Sequence, residues 1–235
     1  WIADRFGWQG ALWMVAILGA VATVAILARL PDIEAVEPPS WRARVALLAD
    51  APVVATVTVT FLTAIASLGL YTYLAPLLDR AGVGGNAASY FWAWGIGGMV
   101  GSFSVGPLID RTRDPRRVMA IILAALALAL ASLPGLLGAS LLGYLPLLVW
   151  GAMGWASQAP KQHALLHLRP DHGSVAVALN SSANYLGGAA GAALGGVVVT
   201  LAGISALPAA AAAVAAGGLA LQMAILARGR RVATG

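Results

Sequence analysis

Seven long apolar runs dominate this sequence, and each is long enough to cross a lipid bilayer. A helix rises 1.5 Å per residue, so about 20 apolar residues span a hydrocarbon core of about 30 Å. The runs cover residues 8–28, 52–78, 87–109, 118–137, 141–165, 174–201 and 205–227. Only 10% of the residues are charged, whereas a soluble domain carries about 25%. We therefore predict an all-α fold, a polytopic bundle of seven transmembrane helices in contact with lipid.

The charged residues mark where each helix leaves the bilayer. All 14 basic and 9 acidic residues lie in the connections or at the helix ends, because a charge at the bilayer centre is costly. Connections with many and with few basic residues alternate, and the two sets contain 12 and 2 basic residues. By the positive-inside rule, the richer set and the C-terminus lie in the cytoplasm. We predict a multi-pass protein of the plasma or bacterial inner membrane.

The widest connection, residues 30–51, combines prolines with charged residues and separates one span from the other six. This composition resists burial and helix continuity, so we predict a cytoplasmic linker there. The domains are then residues 1–29, 30–51 and 52–235. Residue 1 is Trp and no signal peptide is visible, so we expect a longer polypeptide. Predicted helix starts are Asp50 before Pro52, Asp114 before Pro115, and Asn86 before the third span.

Glycine is concentrated in the third and sixth spans. Glycines four residues apart let helix backbones approach closely in lipid. They are Gly97 and Gly101 in the third span and Gly187, Gly191 and Gly195 in the sixth. Ordinary tight packing explains any single pair, whereas recurrence in the middle of two helix triplets favours an internal three-helix repeat, as in transporter halves.

The second span carries a polar stripe. Five hydroxyl side chains recur at intervals of three or four residues and therefore share one helix face: Thr56, Thr60, Thr63, Ser67 and Tyr71. Two interpretations are open. The stripe lines an aqueous cavity and contacts a substrate, or it bonds to carbonyls and to neighbouring helices.

The fifth and sixth spans add further candidates for a substrate path. Asn180 and Asn184 lie one turn apart in the sixth span, and buried carboxamides need partners. Trp150 and Gln158 lie in the fifth span, which contains two prolines and is predicted to kink. A substrate contact and a static interhelical hydrogen bond are both open for these residues. Trp94, near the start of the third span, is interpreted as an anchor at the membrane interface.

Composition argues against several other classes of function. The net charge is +5, but the basic residues are scattered among short loops, so we predict no nucleic-acid partner. His163, His167 and His172 cluster in a connection with only Asp171 to complete a set, so we predict no metal site. No span has a histidine, a carboxylate or an activated serine near its centre, so we predict neither an enzyme nor a cofactor. The only lysine, Lys161, lies at a helix end.

The connection after the third span carries a recognisable motif. Its sequence resembles the signature between the second and third helices of each half in the major facilitator superfamily. The matching residues are Gly106, Asp110, Arg111, Arg116 and Arg117. Here Arg113 replaces the usual later glycine and the basic pair comes one position late. An Asp114 cap followed by Pro115 therefore takes the place of the tight turn.

Two other segments are similar to the same superfamily. Residues 6–13 resemble the start of the sixth helix, with Gln9 where Arg is usual, and residues 179–196 resemble the eleventh helix of the drug and sugar efflux antiporter branch. The resemblance implies helices six to twelve of a twelve-helix transporter. Residues 1–29 would then be the last helix of an N-terminal half that is otherwise missing, and residues 30–51 the central linker.

The resemblance also implies a mechanism. The second and fifth spans would line the central cavity, the third and sixth would pack against the missing half, and the fourth and seventh would face lipid. Export of a small drug-like or sugar-like solute would be driven by protons, with Asp110 and Arg111 holding one conformer. No span here has a central carboxylate, so the proton carrier is expected in the missing half. The alternative is a self-contained seven-span receptor, scaffold or assembly subunit.

Overall fold

The computed structural model describes residues 2–29 and 41–233, and these ranges are helical without a β-strand. The chain divides into two units, residues 1–38 and 39–235. The first contains one helix, α1 (Ile2–Arg29), interrupted at Gly7, whose φ is 70°. From Arg5 to Arg29 this helix is long and apolar enough to cross a membrane.

The second unit is a helix bundle whose elements follow the predicted apolar runs. The helices are α2 (Trp41–Leu48), α3 (Ala51–Ala64), α4 (Leu70–Thr72), α5 (Leu74–Arg80), α6 (Ala87–Thr112), α7 (Pro115–Leu136), α8 (Leu145–Ala156), α9 (Gln158–Leu168), α10 (Gly173–Ala202) and α11 (Leu207–Ala233). A π-helical segment, Ile65–Gly69, joins α3 to α4. The largest cluster of buried apolar side chains includes Leu74, Leu126, Leu130, Leu147 and Trp150.

Five of the described helical segments are long and apolar enough to span a membrane. They are Arg5–Arg29, Ala51–Thr72, Pro115–Leu136, Pro170–Ala202 and Ile204–Arg228. The other two predicted spans are also helical but depart from a uniform apolar rod. Helix α6 has 26 residues and is rich in glycine, serine and tryptophan, which are less apolar than leucine. The polytopic helical bundle is confirmed.

The fifth predicted span is broken, as its prolines indicate. Helices α8 and α9 meet at Ser157 and have 12 and 11 residues. Pro160 has no N–H to donate to the carbonyl of Ala156, and its ring crowds that carbonyl. The break therefore falls one turn before the proline.

Part of the predicted linker is helical. Residues 30–40 lie outside the described residues, but α2 begins at Trp41, just beyond the proline pair. Leu47 is buried and packs with Val53, Leu165 and Val175. An exposed, non-helical linker up to residue 51 was therefore the wrong expectation for residues 41–48. This stretch is free of proline and rich in alanine, leucine and arginine, which favour helix.

Two predicted helix caps have the expected geometry. A side-chain oxygen of Asp50 accepts a hydrogen bond from the N–H of Val53 at 3.4 Å, and Pro52 follows in the first turn of α3. Asp114 accepts from the N–H groups of Arg116 and Arg117 at 3.1 and 3.2 Å. Asn86 makes no side-chain cap to α6. Aspartate caps combined with a following proline therefore mark these starts better than asparagine does.

The glycines of α6 let it pack closely on α8. A Cβ atom at Gly97 would overlap the carbonyl oxygen of Leu148, and one at Gly101 would overlap that of Ala152. From the other side, a Cβ at Gly151 would overlap the carbonyl oxygen of Trp94. The two backbones therefore touch over more than one turn.

The glycines of α10 have the same role against α3 and the π segment. A Cβ at Gly187 would lie 2.6 Å from the carbonyl oxygen of Phe61, and one at Gly191 would lie 2.6 Å from that of Ile65. Gly195 leaves room for the ring of Tyr73, whose hydroxyl donates to the carbonyl of Ala192 at 2.6 Å. The glycine faces of both helices are thus used inside this chain. Packing of α6 and α10 on a further half would have to use their other faces.

The turn between α6 and α7 contains a backbone conformation that favours glycine. Arg113 has φ 51° and caps the end of α6, with its N–H donating to the carbonyl of Ile109 at 2.8 Å. This is the position at which the resembling signature has glycine. The structure therefore keeps the left-handed residue and adds the Asp114 cap to it.

Arg113→Gly is expected to stabilise the protein by up to about 1 kcal/mol, because a left-handed conformation costs a residue with a Cβ atom about 1–2 kcal/mol and glycine regains some entropy on unfolding. The apparent Tm in detergent should rise by about 2–4 °C. Ser102→Gly, at an exposed site inside α6, is the control and should lower it. An equal fall in both variants would show that Arg113 is not strained.

Candidate functional site

A cavity of about 380 Å³ lies between the π segment region, α6, the α8–α9 break and α10. Four predicted substrate-path residues line it: Thr63, Ser67, Gln158 and Asn184. It also has polar and aromatic lining residues that the sequence did not assign to a substrate path: Trp94, Trp155, Ser157, Gln162, Ser181 and Tyr185. Its wall carries hydroxyls, carboxamides and indole rings, and no lining residue is charged.

Two carboxamides join the helices on one side of this cavity. Gln158 Nε2 donates a hydrogen bond to Asn184 Oδ1 at 3.1 Å. A carboxamide has two donor sites and an acceptor oxygen, so each side chain keeps polar atoms for other partners. The pair connects α9, just after the helix break, to α10. Both side chains face the cavity, and a movement of α9 relative to α10 would change their hydrogen bond.

Ser67 lines the cavity, and Trp150 lies behind it. Trp150 is fully buried, and its Nε1 donates to Ser67 Oγ at 2.8 Å. Trp150 itself does not line the cavity and instead fixes the hydroxyl that does. The Tyr71 ring packs against Trp94, with ring centroids 4.4 Å apart. Trp150 and Tyr71 therefore lie behind the cavity wall, where they pack against Ser67 and Trp94.

Trp94 provides a hydrogen-bond donor without an acceptor. Its Nε1 is buried and has no partner within the described residues. A buried N–H without a partner costs about 1–3 kcal/mol. The nitrogen is covered in this conformation, and a rotation of the ring would present it to a molecule in the cavity. The sequence predicts an interface anchor for Trp94, but the structure places it in the cavity wall beside Trp155, 6.2 Å away between ring centroids. Trp92, two residues earlier, is 71% exposed instead.

The rest of the polar stripe makes contacts within the protein. Thr56 and Thr63 donate to the carbonyls of Pro52 and Val59, at 3.0 and 2.6 Å. Thr60 donates to Asn180 Oδ1, a buried contact between α3 and α10. The Nδ2 of Asn180 has no partner within the described residues. Thr63 and Ser67 thus line this cavity and also bond within the protein, whereas Thr56 and Thr60 do not line it. Contact of the stripe with a substrate stays a prediction.

The predicted gating residues lie around the α6–α7 turn. Asp110 and Arg111 are exposed at the end of α6, and neither forms an ion pair among the described residues. Arg117 pairs with Asp114 at 2.8 Å, while the carbonyl of Arg116 accepts from Gln222 of α11 at 2.9 Å. Gly106 has open space where its Cβ would be, so no described residue requires glycine there.

An ion pair that the sequence did not indicate joins two other helix ends. Arg169, after α9, pairs with Asp50, the cap of α3. Its partners are 119 residues apart, so no local pattern could reveal it. The pair ties the cavity-lining helices α3 and α9 together at their charged ends.

Comparison with known proteins gives one family. The family model of the Major Facilitator Superfamily matches residues 1–192. This match includes α1 and reaches into α10, so it covers every cavity-lining residue.

Individual relatives agree with this match. An uncharacterized MFS-type transporter, YbcL, of Bacillus subtilis is 30% identical over 84% of this chain and 51% of its own length. The inner membrane transport protein YdhP of Escherichia coli is 27% identical over 85% of this chain and 51% of its own. A probable sugar efflux transporter of Mannheimia succiniciproducens is 28% identical over 87% and 51%. The chain spans about half the length of the curated relatives it matches.

Proposed function

The chain belongs to the major facilitator superfamily, and on this premise we propose that it is the C-terminal part of a secondary transporter. Residues 1–29 would be the last helix of the N-terminal half, 30–51 the central linker, and 52–235 the six-helix C-terminal half. The half-length coverage of the relatives supports this division. The basic connections support a cytoplasmic C-terminus.

The solute that we propose is small and uncharged, sugar-like or drug-like. The observation that carries this proposal is the cavity of about 380 Å³, which has carboxamides, hydroxyls and indole rings but no charged lining residue. A charged solute would leave its charge uncompensated there, which is costly. Hydroxyl groups of a sugar could bond to Asn184, Gln158 and the free N–H of Trp94, while an apolar ring face would pack on the indoles. One relative is named as a probable sugar efflux transporter.

Alternating access would open this cavity to one side of the membrane at a time. The break at Ser157 and the π segment give both cavity-lining helices a deformable turn at the level of the cavity. Asp110 and Arg111 have no ion pair within the described chain, which leaves them available for contacts with the other half. We propose that these contacts hold one conformer and that the Asp50–Arg169 pair closes the same end.

Proton exchange is the proposed driving force for efflux. Membrane vesicles that contain the complete transporter should accumulate solute when a pH gradient of about one unit is imposed. A protonophore should lower this accumulation by up to about tenfold for the exchange of one proton per solute, since one pH unit corresponds to about 1.4 kcal/mol. Equal transport with and without the gradient would contradict antiport and leave facilitated diffusion.

Asn184→Ala tests the cavity as the solute site. Loss of one hydrogen bond to an uncharged partner costs about 0.5–1.5 kcal/mol, so the KM for transport should rise about two- to tenfold. Ser182→Ala is the matched control on α10, because the exposed Ser182 bonds only to its own helix, at the carbonyl of Ala178. An unchanged KM in Asn184→Ala and in Gln158→Ala would remove both carboxamides from the solute path.

A further inference from the structure

Lys161 has an unusual environment for a lysine. The sequence predicts this residue at a helix end, but its side chain in α9 is only 1% exposed. Its ammonium group makes one hydrogen bond, donated to Ser157 Oγ at 3.2 Å. An ammonium group has three donors, and a charge that is taken out of water needs an opposite charge nearby. No carboxylate among the described residues forms an ion pair with it.

Lys161 borders a second cavity, separate from the proposed solute site. This cavity of about 260 Å³ lies between α3, α7, α9 and α11. Two more basic residues line it, Arg116 and Arg228, together with the polar residues Thr56 and Gln222. None of its lining residues is acidic. Three basic side chains therefore surround a space that is large enough for a small ligand.

The acidic residues at this end of the bundle do not neutralise these cations. Asp50 caps α3 and pairs with Arg169. Asp114 caps α7 and pairs with Arg117. Asp110 and Asp171 are exposed and, within the described part of the chain, pair with no basic residue. Among the described residues, no carboxylate pairs with a basic side chain of this cavity.

We propose that this cavity binds a phosphate group, either as the free ion or as the headgroup of an anionic lipid. Phosphate carries negative charge, opposite to that of the guanidinium groups of Arg116 and Arg228. Its oxygens match the paired N–H donors of guanidinium groups. The hydroxyl of Thr56 and the buried carboxamide of Gln222 add neutral polar groups to the same wall. Arg116 lies in the first turn of α7 and Arg228 near the end of α11, so both arginines are at the same charged end of the bundle.

Binding to the full chain, purified and delipidated in detergent, tests this proposal. Inorganic phosphate is titrated by calorimetry, and phosphatidylglycerol is compared with phosphatidylcholine by native mass spectrometry. Arg228→Gln and Arg116→Gln should each weaken binding about tenfold, and Lys161→Gln should weaken it at least as much. Arg228, which is exposed, and Arg116, which is partly buried, keep the test valid if the lysine variant fails to fold. Arg80→Gln, about 45 Å away at the other end of the second predicted span, removes the same charge and should change nothing.

The two ligands separate the two sources. Binding of phosphatidylglycerol alone assigns the cavity to a lipid headgroup, and binding of inorganic phosphate assigns it to the free ion. Absence of both, or equal affinity in the parent and in Arg228→Gln and Arg116→Gln, would overturn the proposal. Binding that appears only after the linker residues Asp32, Glu34 and Glu37 are replaced by Asn and Gln would also overturn it. In that case the carboxylates of the chain itself would neutralise the basic residues of the cavity.

Discussion

Gly101→Val is expected to prevent correct folding of the helix bundle. Any Cβ at this position overlaps the carbonyl oxygen of Ala152 in α8. This oxygen belongs to the backbone of the helix and cannot rotate away as a side chain can. Insertion of methyl groups into a packed site costs about 1–3 kcal/mol even where side chains adjust, so we expect a loss above about 3 kcal/mol. Size-exclusion chromatography in detergent should show aggregate in place of the monodisperse protein.

The same helix provides a matched control. Gly95 lies six residues earlier in α6, and a Cβ there would meet nothing within 4 Å. Gly95→Val should give a monodisperse protein in near-normal yield. If both variants behaved alike, the close α6–α8 contact at Gly101 would not be the cause.

Substitution of Trp94 is expected to have the largest effect on transport. Trp94→Phe keeps an aromatic ring against Tyr71 but removes the free indole N–H, and should lower kcat/KM roughly tenfold, equivalent to about 1.4 kcal/mol. Trp94→Ala also removes the ring on which an apolar solute face packs, and should lower it roughly 100-fold. Solute uptake into vesicles that contain the complete transporter measures both.

Trp92→Phe is the control for this series. Trp92 is on the same helix but exposed, so its substitution should leave transport unchanged. Equal kcat/KM for the parent and Trp94→Phe, with a loss only in Trp94→Ala, would mean that the ring matters and the indole N–H does not contact the solute.

Local chemistry explains what the sequence could predict. Apolar runs, the exclusion of charges and the two aspartate caps each depend on neighbours within a few residues, and these features appear as helices with starts at Ala51 and Pro115. The break in the fifth span follows from Pro160 in the same way. Four of the residues chosen for the substrate path do line the cavity, because a polar face on an apolar helix has to avoid lipid.

The remaining features depend on contacts between distant segments. Ser67 and Trp150 are 83 residues apart and Thr60 and Asn180 are 120 apart, so their pairing exists only in the folded bundle. The same holds for Lys161, which is near a helix end in the sequence but is covered by neighbouring helices. The polar residues of the stripe are alike in sequence, and only packing separates those that face the cavity from those that do not.

The π segment sets the angular position of everything that follows it in the second predicted span. A π turn holds one residue more than an α turn, and one residue corresponds to about 100° of rotation around the helix axis. An uninterrupted α-helix would therefore swing Tyr71 away from Trp94 by about a quarter of a revolution and remove the support of the indole. Deleting one residue between Ile65 and Gly69 would remove the extra residue of the π turn, and a regular α-helix would then place Tyr71 against Trp94 again. The π segment therefore accommodates one additional residue without turning the following part of the helix away from the cavity wall.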